Sequence, residues 1–386
     1  MQNPLNEEKL IQAAARHVGT HDFYSEDYQP ALRSLLASLD QEASLSQTGV
    51  WSTFGTLLDA LTKRARIAAA LASHPEIVEI PIERPVFITG FPRTGTTLLH
   101  NLLARDSANR TMRLWEMRAS PISSNNDRQW ERKHIAETEL LLQNLYKAAP
   151  AFRSIHSMQA TWPDECNWLF RNSLASLINA ITYYVPGYLH WLLQQDMVSA
   201  YTFYRRQLQL LLVRSPGERL VLKDPFHLWH LDALLSVFPD ARIVHLHRDI
   251  LESLPSMCSL CYTLQGIYSE RREPQMVGMY CKKMMNAGMT RMLCVRDSDT
   301  DENFIDINYY RLVKDPIDTV QSIYAQIGWE FSAEAEAAMR IWLAENKQHK
   351  AGKHNYSLEQ FGLDSSEIKQ SFKAYSSRFL EQSLAV

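Results

Sequence analysis

Along the first eighty residues, apolar positions recur at helical spacing: Leu10 with Ala13 and Ala14, Leu32 with Leu35 and Leu36, Leu57 with Leu58 and Leu61. That period predicts amphipathic helices packed beside a larger core. His74-Pro75 and Ile80-Pro81 end it, because the residue before a proline avoids helical backbone. From Val86 onward the pattern changes to short apolar runs separated by helical stretches. We expect strands over 86–90, 219–223, 242–247 and 304–308, and helices from about 95, near 228–237, after Arg248, and over 316–327. Strands buried on both faces and alternating with helices imply a parallel sheet flanked by helices. The expected layout is an N-terminal helical region over 1–80 packed on an α/β domain over 81–386. A helical, aromatic-rich insertion occupies about 110–215, where Trp162, Trp168, Phe170, Tyr183, Tyr184 and Tyr188 crowd together. Aromatics at that density either fill a core or line an apolar acceptor pocket.

The first apolar run leads straight into Gly90-Phe-Pro-Arg93-Thr94-Gly95-Thr96-Thr97. A strand, a glycine-bounded turn and a helix N-terminus direct backbone N–H groups at an anion, so the fold class is α/β with a P-loop-like phosphate cradle. A nucleotide-triphosphate loop of this spacing carries lysine where this chain has Thr96. The nearest cation is Arg93, inside the loop, which argues against phosphoryl transfer that depends on that lysine and Mg²⁺. The plain alternative is a strand-to-helix turn capped by threonines.

The string Pro92-Arg93-Thr94-Gly95-Thr96-Thr97 resembles the phosphosulfate-binding loop of bacterial and other sulfotransferases that use 3′-phosphoadenosine 5′-phosphosulfate (PAPS). A second block runs from Lys223-Asp-Pro-Phe through Phe238-Pro-Asp-Ala to Arg248-Asp249, with Ser256 beyond, and is similar to the family's 3′-phosphate motif. It looks most like the tyrosylprotein branch. The resemblance implies that Arg93, Thr94, Gly95, Thr96 and Thr97 hold the 5′ end of PAPS, while Arg248 and Ser256 hold its 3′-phosphate. Pro255 is expected to kink the intervening helix or move its start. Tyr309, after the strand 304–308, corresponds to a tyrosine that contacts adenine. Lys350 and Lys353 stand in a basic, glycine-containing stretch resembling the loop that folds over the cofactor.

The resemblance also implies the chemistry. The sulfuryl group would pass in line from PAPS to a hydroxyl or amine, leaving adenosine 3′,5′-bisphosphate, with Arg93, Thr96, Thr97 and Lys223 stabilising the leaving group. A sulfuryl group carries less charge than a phosphoryl group, so no metal is expected. The acceptor must lose a proton to a nearby base. Glu116, expected at a strand end, stands close to the offset of the base in the tyrosylprotein branch. His227 lies near the place of the cytosolic enzymes' histidine, without their lysine-x-histidine order. Glu165, in Trp162-Pro-Asp-Glu165, sits in the aromatic insertion, where an acidic residue after proline is also an ordinary helix cap. The rival classes are a small-molecule kinase with an atypical loop and a non-catalytic nucleotide-binding module.

Composition narrows the partners. Of 386 residues, 46% are hydrophobic, enough for a substantial core. Forty basic against 43 acidic side chains leave a formal charge of −3, which gives no broad attraction to nucleic acid, so anion binding must be local. The first residues lack a secretory pattern and no apolar run reaches bilayer length, so no integral membrane segment is expected. Five cysteines suit reduced thiols and a cytoplasmic location. Cys258 and Cys261 match a CxxC spacing, but no second closely spaced pair exists to complete a zinc site. The acceptor is expected to be a small, hydroxylated, apolar molecule.

Overall fold

The computed structural model describes residues 4–119, 128–298, 301–346 and 356–381. Five parallel strands form its sheet: β1 (Val86–Gly90), β2 (Asn109–Arg110), β3 (Arg219–Lys223), β4 (Arg242–His247) and β5 (Phe304–Asn308). Their spatial order is β2-β3-β1-β4-β5, so β1 lies in the middle and the chain leaves it in both directions. Four strands fall where the apolar runs place them. The edge strand β2 is only two residues long, too short to leave a period.

Alternation within the strands divides the core in two. Val86, Ile88, Val221, Val244 and Leu246 face one side, where α4 (Thr96–Leu103) and the helix Pro316–Ile327 cover them with Leu99, Leu102, Val320 and Ile323. Phe87, Leu222 and Ile243 face the other side. There they join a larger apolar cluster reaching through the insertion to α1 (Glu7–Val18), α2 (Tyr28–Gln41) and α3 (Gln47–Ser73). The insertion, between β2 and β3, holds α5 (Leu114–Arg118), α6 (Arg128–Ala148) and several later helices up to Val198–Arg214.

One local expectation is narrowed and another is corrected. Pro255 neither moves nor ends its helix, which starts at Ile250 and runs to Tyr268 with the proline as its sixth residue. Asp249 caps the start by accepting from the Leu251 N–H. Glu116 does not end a strand. It is the third residue of α5, and its carboxylate accepts from the N–H of Arg113 at 2.9 Å, satisfying a donor at the start of the helix.

Arg64 of α3 ties the N-terminal helices to the insertion. It is fully buried, donates to Asp27 Oδ1 at 2.6 Å, to the Phe23 carbonyl at 3.2 Å and to the Asn172 carbonyl at 3.2 Å, and lies over the rings of Tyr28 and Phe203. Arg64→Met keeps the volume and strands those acceptors, so we expect a stability loss of about 2–4 kcal/mol in urea unfolding. A loss below about 0.5 kcal/mol would show that the N-terminal helices are held by apolar packing alone.

Candidate active site

Gly90, Lys223, Arg248 and Tyr309 stand at the carboxyl ends of β1, β3, β4 and β5, where ligands bind in parallel sheets. The loop after β1 depends on backbone that favours glycine. Gly90 has φ +148°, and a Cβ there would lie 2.5 Å from the Leu246 carbonyl oxygen and 2.8 Å from Thr94 Oγ1. Gly95, at φ +93°, starts α4, and a Cβ on it would press on the Tyr309 ring at 2.9 Å. Between them Arg93 holds φ +75°, which a side-chain-bearing residue rarely adopts. The Thr94 hydroxyl donates to the Phe91 carbonyl at 2.8 Å and closes the turn.

Arg93 and Arg248 meet across this loop. Arg248 donates through Nη1 to the carbonyl of Arg93 at 2.8 Å, holding the left-handed residue in place. Its Nε donates to Glu252 at 3.0 Å, and its guanidinium lies 4.2 Å over the Tyr309 ring. The side chain of Arg93 turns the same way. Its Nε donates to Ser256 Oγ at 3.1 Å, and Nη1 donates to the Ile155 carbonyl. The loop arginine thus joins the group expected to bind the 3′-phosphate, and Ser256 is bonded to Arg93 rather than to Arg248. Burial, with Arg248 adding like-charge repulsion, lowers the Arg93 pKa against the opposing pull of Tyr356. A bound anion would relieve both. Tyr309 is the first helical residue after β5, packed against Gly95 and beneath Arg248.

Opposite this arginine pair, Lys223 ends β3 with its side chain buried. Nζ donates to Glu165 Oε1 at 2.8 Å and lies 3.4 Å from Thr97 Oγ1, at the start of α4. The second oxygen of Glu165 accepts from Asn167 Nδ2 at 2.7 Å. Behind them is a residue that sequence reasoning passed over. Asp164 is buried, and although burial opposes its ionisation, His156 at 3.7 Å and Lys223 hold its pKa below the ordinary range. Ligand atoms of His156, Asp164 and Glu165 lie within 4.8 Å of one another, and the Lys223 ammonium supplies a cation at Glu165. Asp164 adjoins Glu165 in sequence and was findable as its neighbour. Nothing in the sequence signals His156.

A cavity of 1640 Å³ joins these groups. Arg93, Gly95, Thr96, Thr97, Glu165, Arg248 and Tyr309 line it, and Leu141, Leu145, Phe152, Ile181 and Leu264 continue it toward the exposed Leu140. The buried Thr94 and Ser256 support the lining from behind.

The other two base candidates stand elsewhere. Glu116 is not among the lining residues. Both its oxygens are taken by Arg110 at 2.9 and 3.0 Å, with Arg113 adding a third guanidinium bond at 2.9 Å. Burial opposes its charge, but the two arginines outweigh that and hold its pKa below the usual carboxylate value. His227 is buried among Phe87, Phe170 and Tyr204, with the Tyr201 hydroxyl 2.8 Å from Nδ1. Burial pushes its imidazole down to about 3, so it is a neutral core residue. The turn Pro225–His230 carries it away from the cavity that Pro225 and Phe226 still line. Lys350 and Lys353 lie outside the described residues, whereas Tyr356, just beyond them, lines the cavity.

Comparison with known proteins agrees with this layout. Residues 85–333 match the model of a family described as the sulfotransferase family. The omega-hydroxy-beta-dihydromenaquinone-9 sulfotransferases Stf3 of Mycobacterium bovis and Mycobacterium tuberculosis are each 25% identical over 287 residues, covering 72% of this chain and 71% of theirs. The crystal structure of sulfotransferase STF1 from Mycobacterium tuberculosis superposes with a TM-score of 0.85 at 32% identity, covering 97% of this chain and 100% of that one. Sulfotransferase STF9 from Mycobacterium avium gives 0.86 at 27%, covering 98% of each chain. With the loop, the arginine pair and the lysine in place, the family match over residues 85–333 and the near-complete superpositions lead to one conclusion: the chain belongs to the sulfotransferase family.

Proposed function

We infer that the protein transfers a sulfuryl group from PAPS to a hydroxyl on a small, largely apolar acceptor, with Glu165 as the base. One observation carries this reading. Glu165, bonded to the buried Lys223 beside Thr97 at the first turn of α4, lines the same cavity as Arg93 and Arg248. The residues fit the donor: two guanidiniums with Ser256 suit a 3′-phosphate, and the left-handed loop with Thr96, Thr97 and Lys223 suits the 5′ end. Bound there, PAPS would supply the activated sulfuryl group. Tyr309 would flank the adenine ring.

Each side chain then has a task. Glu165 accepts the proton of the acceptor hydroxyl, its carboxylate aimed by Lys223 on one oxygen and Asn167 on the other. Lys223 and the N–H groups of the first turn of α4 offset the charge that grows on the departing phosphate. The apolar walls toward Leu140 favour an apolar acceptor. A relative named for an omega-hydroxylated dihydromenaquinone supports a hydroxylated acceptor of that kind. The sparse cysteines fit a cytoplasmic setting.

Two experiments test this. In isothermal titration, adenosine 3′,5′-bisphosphate should bind without metal and more tightly than ATP with Mg²⁺. Arg248→Ala should weaken the bisphosphate by about 1.5–3 kcal/mol while changing adenosine 5′-monophosphate far less. Equal losses would remove the 3′-phosphate from Arg248, and Mg²⁺-dependent preference for ATP would favour a kinase.

Glu165→Gln should leave bisphosphate affinity intact and slow turnover by about 10²–10⁴-fold. Glu116→Gln should instead cost stability, about 2–4 kcal/mol at neutral pH. Its folded pKa is depressed, so the ionised form stabilises above the unfolded value of about 4.3, and that contribution is lost as pH falls through the folded pKa. The gap between wild type and E116Q should therefore close under acid. Turnover lost in E116Q with stability unchanged would return the base to Glu116.

A further inference from the structure

Beyond the reacting groups, the same cavity holds two cations that the transfer reaction does not use. Arg118 ends α5, and Arg171 follows the short helix Asn167–Phe170. Both line the cavity, and both guanidiniums lie over the ring of Trp168, at 5.1 and 4.8 Å. Neither makes a hydrogen bond or ion pair among the described residues, and the Nε atom of each is buried without a partner. Both residues are half-buried: their Nε atoms lose solvent without gaining a partner, a partial desolvation that a bound anion would compensate.

The surroundings deepen the imbalance. Burial, and then the like charge of Arg171, lowers Arg118 to about 10. Lys63 stands near both arginines, and its ammonium is already matched by Asp59 at 2.6 Å. Asp59, shared with Lys63, and the exposed Glu137, bonded to His134 at 2.9 Å, both pull the Arg118 pKa up without undoing its fall. The corner of the cavity therefore carries excess positive charge in a partly dry setting, with an aromatic platform between two planar forks.

Its place relative to the base is set by one stretch of chain. Glu165, Trp168 and Arg171 follow at intervals of three, and the Trp168 N–H donates to the Glu165 carbonyl at 3.3 Å, so the three share one face of a helical segment. All three line the cavity. Six residues at a helical rise put Arg171 about 10 Å along that face from Glu165.

We propose that Arg118 and Arg171, over Trp168, form an oxyanion subsite for the acceptor, which is an apolar molecule bearing a carboxylate or phosphate remote from the hydroxyl that is sulfated. The proposal rests on the reading of Glu165 as the base for the position of the hydroxyl. The anion subsite itself stands on the two unpaired guanidiniums. It turns the cavity from a generic apolar pocket into one that measures a distance between two polar ends.

The test uses unreactive probes: dodecanoate, dodecyl phosphate and 1-dodecanol, titrated calorimetrically into the full chain with and without saturating adenosine 3′,5′-bisphosphate, which occupies Arg93 and Arg248. In the wild type at least one anionic probe should bind about tenfold or more tightly than the alcohol, and added salt should weaken that preference. Whichever anion binds better identifies the group. Arg118→Gln with Arg171→Gln should bring anion and alcohol to equal affinity while bisphosphate binding is unchanged. Arg171→Lys, which keeps the charge but loses the fork, should retain part of the preference and serves if the double variant does not fold.

Equal binding of anions and alcohol by the wild type would overturn the subsite, as would a preference that survives in the double variant. Failure of the bisphosphate to bind would count against the sulfuryl-transfer reading alone, since the probe comparison is also read without nucleotide.

Discussion

The bond from Arg248 to the carbonyl of Arg93 is the interaction on which the site depends. It spans from the end of β4 to a loop residue held in left-handed backbone, and it brings two guanidiniums to one wall of one cavity. Like charges so placed repel, and burial adds to the cost. The arrangement makes physical sense as a preorganised receptor for an anion, with the repulsion held in the protein and relieved on binding. The glycines at 90 and 95 serve the same end. Neither position admits a side chain without pushing on Leu246 or Tyr309.

In the proposed reaction a second pairing, Lys223 with Glu165, sets where chemistry occurs. The lysine comes from the sheet and the glutamate from the insertion, so the proposed base is delivered by the element that also shapes the apolar walls. On that reading, acceptor recognition and proton removal are coupled through one stretch of chain, Trp162 to Arg171. In this account, changes of acceptor among relatives would be made in the insertion, leaving the nucleotide side intact.

Much of the fold was legible because buried parallel strands write themselves plainly: apolar runs such as Val86-Phe-Ile and Ile243-Val-His-Leu, bounded by glycine, proline or charge. The two-residue β2 left no such trace. The phosphate loop was legible because its backbone demands particular residues at fixed spacing. The base was not. Glu116 and His227 stand at suggestive chain positions, but a chain offset does not say which way a side chain turns: α5 aims Glu116 at Arg110, and a tight turn drives His227 into the aromatic core. Glu165 looked like an ordinary cap because its partner, Lys223, lies 58 residues away in sequence. Arg118 and Arg171 were invisible for the same reason, since only the fold brings them to one indole.

A crystal structure of the protein with adenosine 3′,5′-bisphosphate tests the central claim most directly. The account predicts the 3′-phosphate against Arg248, Arg93 and Ser256, with the 5′-phosphate at the first turn of α4 within reach of Lys223. A nucleotide bound in the reverse sense, or outside the cleft between β1 and β4, would contradict it.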